Sequence, residues 1–477
     1  MNISSVLHIL GNLLLLVAFS MIFPFLIGIY YQEFDALIFI ITSGITAISG
    51  LLLKKFKYSQ SDLQYKEGFM VVTLGWILVS LYGGIPFLLA DIFDNPVDAL
   101  FESMSGFTST GATVIMSLES LSHTILFWRS LTHWLGGMGI IVMTIAVLPQ
   151  LAGNMNLFKA EVPGPVHNRI KPRIKETAKT LWWLYIILTL LEVILLWLQN
   201  VPLFEALIHS FGTISSGGFS SRALSVKSYN SILVDFIVTI FMFLAGTNFN
   251  LIYKSLQGKL SSLFYDEEFR MYLCLLTTAI LLISLNLYIN NYESIIQSFR
   301  YASFQVVSIS STTGFATVDY DTWSPFCRWI LLILMFIGGS SGSTAGGIKI
   351  IRIKLLFKKG LQELYRLLHP RSVKKVKINK QVVSETVSTS ILGFFFLYII
   401  VFVSVTLVLT YFGIDILSSI SAVAATLGNI GPGLGIVGPL KTYLSFPESA
   451  KLLLVLCMLM GRLEIYTILV FIFMHKN

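Results

Sequence analysis

Long apolar runs alternate with short polar connections along the whole chain, and run length limits what each can be. Candidate helices lie near 6-30, 35-53, 69-90, 128-149, 180-199, 231-252, 271-290, 326-348, 386-411 and 451-474. A helix that crosses a bilayer needs about 20 predominantly apolar residues, so the pattern predicts ten spans. Four further segments are apolar but too short to cross: DALFESMSGFTSTGAT (98-113), FEALIHSFGTISSGGFS (204-220), SFRYASFQVVSISSTTGFAT (298-317) and DILSSISAVAATLGNIGPG (415-433). Each ends in a small-residue turn containing glycine. Each is expected to dip in as a short helix and return as an extended loop.

Aligning the turns superposes Gly111, Gly218, Gly314 and Gly431, which makes span, short helix, loop and span a unit repeated four times in one orientation. All four loops follow an outward-running span, so they share one side. Irregular backbone at membrane depth is tolerated only where protein or a water-filled cavity satisfies it. Four loops converging on one axis can turn their carbonyls inward and replace the water shell of a cation. Glycine permits the positive φ that such crowding needs, and the partially negative C-terminal ends of the short helices favour a cation. The fold class is therefore an all-α polytopic membrane protein with four fused repeats around a central pore, in pseudo-fourfold symmetry. Two extra N-terminal transmembrane helices occupy 1-66, and the repeats run 67-153, 154-258, 259-360 and 361-477.

Composition agrees with this reading. Charged residues are 12% and hydrophobics 55%, with a mean hydropathy of +0.78, whereas soluble domains carry roughly 25% charge. The net charge of +8 does not point to nucleic acid, because 25 of the 33 basic residues fall in 54-67, 154-179, 254-270, 349-385 and at Lys476, between or beside spans. Cytoplasmic loops carry such an excess, so both termini are expected in the cytoplasm, with anionic membrane lipid as the partner of the basic run from Arg371 to Lys377. Opposite lie Glu33, Asp35, Asp91, Asp94, Asp98, Asp319, Asp321 and Asp415, a face that would attract cations. The first run lacks a preceding Lys or Arg and a clear A-x-A site, so it reads as a retained span. Cys274, Cys327 and Cys457 fit neither a disulfide framework nor a CxxC site and read as packing residues.

Two features interrupt the spans. In the third repeat, Gly338, Gly339, Gly342, Gly346 and Gly347 fall within ten residues and should break the helix. A nucleotide-binding G-x-x-x-x-G-K-[ST] loop fails on register, since Ile348 stands where Lys belongs. Arg462 lies near the centre of the last span, where it costs about 2.5 kcal/mol or more unless it faces a cavity or partner. Glu464, two residues on, points to another helical face. Arg462 is thus expected to meet the Gly-rich loop, to project into the pore, or to clamp helices. No HExxH or GxSxG constellation suggests an enzyme, and His133 and His209 read as packing or loop residues. A secondary cation symporter with broken helices is the alternative, but it typically uses inverted repeats. Coupling to H+ or Na+ stays open, as no chain of buried carboxylates is evident; Glu192 and Asp235 are placed near the outer interface.

At the four loops the chain resembles the Trk/Ktr/HKT superfamily of K+ transporters. The resemblance covers essentially the whole sequence, and the two extra N-terminal spans look more like its TrkH/TrkG branch. It implies K+ uptake through a filter formed by backbone around Gly111, Gly218, Gly314 and Gly431, preceded by Ser109-Thr110, Ser216-Gly217, Thr312-Thr313 and Asn429-Ile430. K+ at those residues would be the only metal, and no cofactor is implied for this chain. Relatives that favour Na+ often carry serine at the first filter glycine, so four glycines support K+. The fourth loop, NIGPG, departs from the Thr-Thr-Gly of the third, with Pro432 after its glycine. GGSSGSTAGGIK looks like the family's gating loop, and Arg462 matches a pore-proximal arginine. The resemblance further implies a homodimer in the cell (inner) membrane. Its partner would be a cytosolic, TrkA-like nucleotide-binding regulatory subunit acting through 349-385.

Overall fold

The computed structural model describes residues 2–56, 65–151, 174–290, 292, 294–372 and 375–473. Lys57, Lys159, Arg169, Lys171, Arg173, Lys374 and Lys476, and the expected boundary between the first two repeats, lie outside the described residues. At the N-terminus, α1 (Ile3–Ser20) runs into α2 (Ile22–Tyr31), and α3 (Ala36–Lys54) packs back along both. Four units of one pattern follow. The first is α4 (Tyr65–Leu89), short α5 (Pro96–Phe107) and α6 (His123–Leu151). The second is α7 (Ile174–Trp197), short α8 (Leu203–Ile214), α9 (Ile232–Ala245) and α10 (Phe249–Leu256). After α11 (Ser261–Tyr265), the third is α12 (Glu267–Asn290), α13 (Ile295–Ser310), α14 (Pro325–Phe336) and α15 (Ile350–Leu368). The fourth is α16 (Glu385–Tyr411), short α17 (Ile416–Leu427), α18 (Glu448–Arg462) and α19 (Tyr466–Phe473).

Local chemistry starts the re-entrant helices. Asn95 Oδ1 accepts from the Val97 N–H at 2.8 Å, with Pro96 in the first turn of α5, and Asp415 accepts from the Ser418 N–H at 3.0 Å ahead of α17. Both are caps that satisfy donors a helix leaves free. Helices α5, α8 and α17 have 12 residues each, so they are about 18 Å long against a hydrocarbon layer of about 30 Å. They can enter a bilayer but not cross it.

Packing runs in sequence order around a ring: α6 lies against α8, α9 against α13, α14 against α17, and α18 back against α5. One large apolar cluster joins the first and fourth units through Phe101, Trp128, Leu427 and Leu454, and a second joins the middle units through Val238, Tyr272, Phe304 and Leu331. The outer surface exposes Leu81, Trp183, Leu285 and Phe396, which suits lipid. Among the described residues, six helices are long and apolar enough to cross a bilayer unbroken.

The expected spans 231-252 and 451-474 are not straight. The axis turns by 107° between α9 and α10 and by 115° between α18 and α19. At the first bend Asn248 accepts from the Asn250 N–H at 2.9 Å, so it caps a new helix. At the second, Glu464 takes a left-handed φ of 53°. Arg462 therefore ends a helix rather than sitting inside one. The third unit's expected span 326-348 stops at Phe336. The stretch 349-385, expected as a long loop, holds the 19-residue α15 and a hairpin of β1 (Lys377–Ile378) and β2 (Gln381–Val382). Helical spacing puts Ile351 and Leu355 inside, while Lys354 and Lys358 reach Glu267 at 3.1 and 2.6 Å.

Candidate ion-permeation site

Each re-entrant helix ends the same way. The N–H groups of Ser109, Ser216, Thr312 and Asn429 donate back to Gly106, Thr213, Ile309 and Thr426, and those of Thr110, Gly217, Thr313 and Ile430 to Ser105, Gly212, Ser308 and Ala425. This is the Schellman closure, which needs a left-handed residue after the helix. Ser109, Ser216, Thr312 and Asn429 supply it with φ of 53°, 58°, 60° and 53°. Glycine is the usual residue there, and its replacement by Ser, Thr or Asn at all four turns is a local strain that the packed ring holds in place.

Two residues on, Gly111, Gly218, Gly314 and Gly431 also have positive φ, at 83°, 76°, 81° and 96°. Their close contacts close a circle. A methyl group on Gly111 would lie 2.1 Å from the Gly217 carbonyl oxygen, one on Gly218 1.9 Å from that of Thr313, and one on Gly314 2.0 Å from that of Ile430. One on Gly431 would lie 2.7 Å from the Thr110 oxygen. Every loop leans on the next, and the fourth on the first. All twelve predicted filter residues are thus brought into one ring.

The carbonyls decide what the ring can bind. Buried backbone oxygens are nearly always paired, yet of the carbonyls from Ser109 to Gly111, Ser216 to Gly218, Thr312 to Gly314 and Asn429 to Gly431, only that of Gly431 accepts a hydrogen bond from the described residues. Carbonyls without donors, crowded into one ring at the C-terminal ends of four helices, are the kind of group that can replace the water shell of a cation. The side chains face away and brace the ring. Thr108 and Thr110 hydroxyls meet at 2.7 Å, Ser311 and Thr313 at 2.8 Å, and Asn429 Nδ2 donates to Thr110 Oγ1 at 2.9 Å.

The Gly-rich stretch lies directly beneath. Gly338 donates to the Ile348 carbonyl at 3.1 Å and Ile348 to Phe336 at 3.1 Å, so the loop is pinched shut at its base. Gly342 and Gly347 take positive φ at 75° and 63°, and Gly339 and Gly346 press against the Gly246 and Gly428 carbonyls. The bend after α9 is what receives it: Ala245 and Gly246 carbonyls, freed where the helix ends, accept from the Thr344 and Ser340 N–H groups at 3.2 and 2.9 Å. The loop also holds two of the strained filter residues, with Thr344 Oγ1 2.6 Å from Ser216 Oγ and the Gly346 N–H donating to Thr312 Oγ1 at 2.7 Å. Arg462 donates to the Thr344 carbonyl at 3.2 Å and to the Gly136 carbonyl at 2.6 Å, tying the loop to α6. Glu464 pairs with Arg352 instead.

Sequence reasoning missed the braces. Glu102 and Arg129, both fully buried, meet at 2.5 Å. Glu102 also accepts from the Val114 N–H at 3.0 Å, and Arg129 donates to the Ser220 carbonyl at 2.9 Å, so this pair holds the outgoing strands of two loops. Asp98, taken as part of an acidic face, is bound to Lys451 at 2.6 Å, and Asp235 to Arg300 at 2.7 Å. Charged residues inside apolar segments were the available signal. Glu268, in α12, accepts from the Ser341 and Ile351 N–H groups at 2.6 and 3.3 Å, one bond from within the Gly-rich stretch and one from just beyond it. His133 is fully buried, edge-on to Phe219 at 3.9 Å and against Gly217.

Known proteins share this sequence pattern and fold. The profile of a family described as "TrkH: Cation transport protein" matches residues 36–477. The chain belongs to the TrkH family. It is 40% identical to the Trk system potassium uptake protein TrkH of Salmonella typhimurium over 98% of both chains, and 35% identical to the Trk system potassium uptake protein TrkG of Escherichia coli over 98% of this chain and 97% of that one. The crystal structure of the potassium transporter TrkH from Vibrio parahaemolyticus superposes with a TM-score of 0.89 at 37% identity, covering 98% of each chain. The protein is accordingly a multi-pass membrane transport protein of the TrkH fold, and not an enzyme.

Proposed function

We propose that this protein takes up K+ through the carbonyl ring at Gly111, Gly218, Gly314 and Gly431. The observation that carries the reading is the closed circle of loops, whose carbonyls, that of Gly431 excepted, find no donor among the described residues. TrkH and TrkG relatives named as potassium uptake proteins support K+ as the ion. Same-side, same-direction loops disfavour a symporter built on inverted repeats. The units run 67-153, 154-258, 259-360 and 361-477 behind the N-terminal pair at 1-66. The 338-347 loop closes the path below the ring and Arg462 latches it, since it hydrogen-bonds to both Thr344 and Gly136. Helix α15 continues from that loop, so a cytosolic, TrkA-like nucleotide-binding subunit that moves α15 would move the gate. A homodimer in the inner membrane with both termini cytoplasmic completes the reading, supported by the basic excess of 349-385.

The experiment is 86Rb+ uptake into liposomes holding the purified protein, with K+ or Na+ as competitor. Uptake displaced by K+ and far less by Na+ is the expected result. Equal displacement by both ions overturns the K+ assignment.

A further inference from the structure

The fourth loop breaks the symmetry of the ring at one atom. The Tyr443 hydroxyl donates to the Gly431 carbonyl at 2.8 Å. Tyr443 lies in the segment that follows that loop, and it is 2% exposed. Its ring packs between Phe101 and Phe446, each with centroids 5.5 Å away, and its backbone N–H donates to the Thr113 carbonyl at 2.9 Å, so the phenol is locked between the first and fourth loops. Among the described residues, nothing comparable reaches the carbonyls of Gly111, Gly218 or Gly314. Gly431 is also buried where those three glycines are partly accessible, and its close contact to the first loop, at 2.7 Å, is looser than their 1.9 to 2.1 Å contacts to the loops that follow them.

We propose that Tyr443 sets ion specificity by turning the Gly431 carbonyl into the protein wall, so that the glycine ring of the filter offers three protein oxygens and an open side instead of four. This rests on the reading of the ring as a K+ filter and deepens it. The loops return from the ends of the short helices toward the mouth, so the glycine ring is the outermost of the carbonyl tiers. An incoming ion there keeps water on the open side and sheds the rest of its shell only at the tiers below. Discrimination between K+ and Na+ depends on the number and strength of the coordinating dipoles, so a three-oxygen tier discriminates less than a four-oxygen one. Its benefit is that ions enter without full dehydration.

The test is Tyr443→Phe, which removes one oxygen and keeps the ring in its slot. Freed of its donor, the Gly431 carbonyl gains by turning to the axis, because a buried acceptor without a partner is unfavourable. In the same 86Rb+ assay, the ratio of K+ to Na+ displacement should rise by about two- to tenfold, the worth of one hydrogen bond. Phe446→Leu, which alters packing on Tyr443 without touching the carbonyl, should leave the ratio unchanged. Introducing 3-fluorotyrosine at position 443, a stronger donor of nearly the same shape, should leave it at or below the native value, and it provides the reading if the Phe variant does not fold. A native ratio in Tyr443→Phe, an equal rise in Phe446→Leu, or a rise with 3-fluorotyrosine overturns the proposal. If the unaltered protein itself does not discriminate K+ from Na+, the K+ filter reading has failed instead.

Discussion

Replacing Gly111 with serine tests the ring at its tightest logic. The new Cβ would stand 2.1 Å from the Gly217 carbonyl oxygen, whereas close carbon–oxygen contacts settle at about 3.3 Å, so the two loops must part by roughly 1.2 Å. Functional constellations tolerate displacements of only about 0.5 Å. The backbone adds to the disturbance, because φ at Gly111 is 83° and an L side chain held there costs about 1–3 kcal/mol. Both effects push the first loop outward and widen the cavity on one side. If about 1.4 kcal/mol of that strain is relieved by opening the ring, discrimination between K+ and Na+ falls about tenfold. The assay is 86Rb+ uptake into liposomes with K+ or Na+ as competitor, alongside Gly360→Ser, where an added Cβ meets nothing within 4 Å. Gly360→Ser should behave as the native protein. Native discrimination in Gly111→Ser, at a native uptake rate, would remove this glycine from the filter and refute the reasoning.

Two further outcomes are expected. Arg462→Ala removes the hydrogen bonds to Thr344 and Gly136, each worth about 1.5–3 kcal/mol for a charged donor, so basal uptake should rise several-fold with the protein still eluting as a single species; aggregation of the variant would make Arg462 a clamp instead. Glu33 acts at a distance as the cap of α6, accepting from the His123 and Thr124 N–H groups at 2.8 and 2.9 Å. Partial burial works against its charge, but the bonds from Thr124 and His123 prevail and hold its carboxyl below the usual range. A lowered value stabilises above the ordinary carboxylate pKa and is lost as pH falls through the lowered one. Glu33→Gln should therefore cost up to about 1 kcal/mol at neutral pH, allowing for solvent screening, and thermal unfolding should show the gap to native closing below about pH 4. A gap that persists in acid would mean that the charge is not what Glu33 contributes.

How much of this was readable beforehand depended on the range of the interaction. The glycine of each loop could be found because a sub-spanning apolar helix followed by a small-residue turn is a local pattern. The left-handed Ser109, Ser216, Thr312 and Asn429 could not, since Ser, Thr and Asn announce that conformation only when a surrounding ring enforces it. The bends after Ala245 and Arg462 were hidden by hydropathy that continues across them; their cause lies in remote partners, such as the Ser340 N–H that takes up the Gly246 carbonyl. Asp98 was assigned to an acidic face because its partner, Lys451, is far along the chain. For Arg462 the sequence leaves the Gly-rich loop, the pore and a clamp between helices open; its hydrogen bonds run to Thr344 and to Gly136, and the second had no local signature.

The order of contacts around the ring has a consequence for how the molecule is made. Because the fourth loop leans on the first, Gly431 against Thr110, the circle stays open until nearly the whole chain has left the ribosome. At about 5–20 residues per second, the roughly 300 residues between those two points take some tens of seconds to synthesise. During that interval three loops sit side by side with bare carbonyls and a missing wall, and a nascent chain stalled after its third unit is an open trough rather than a smaller pore. Biogenesis of this fold therefore has a late, all-or-none step, and quality control in the membrane would have one event to watch: the arrival of 415–433.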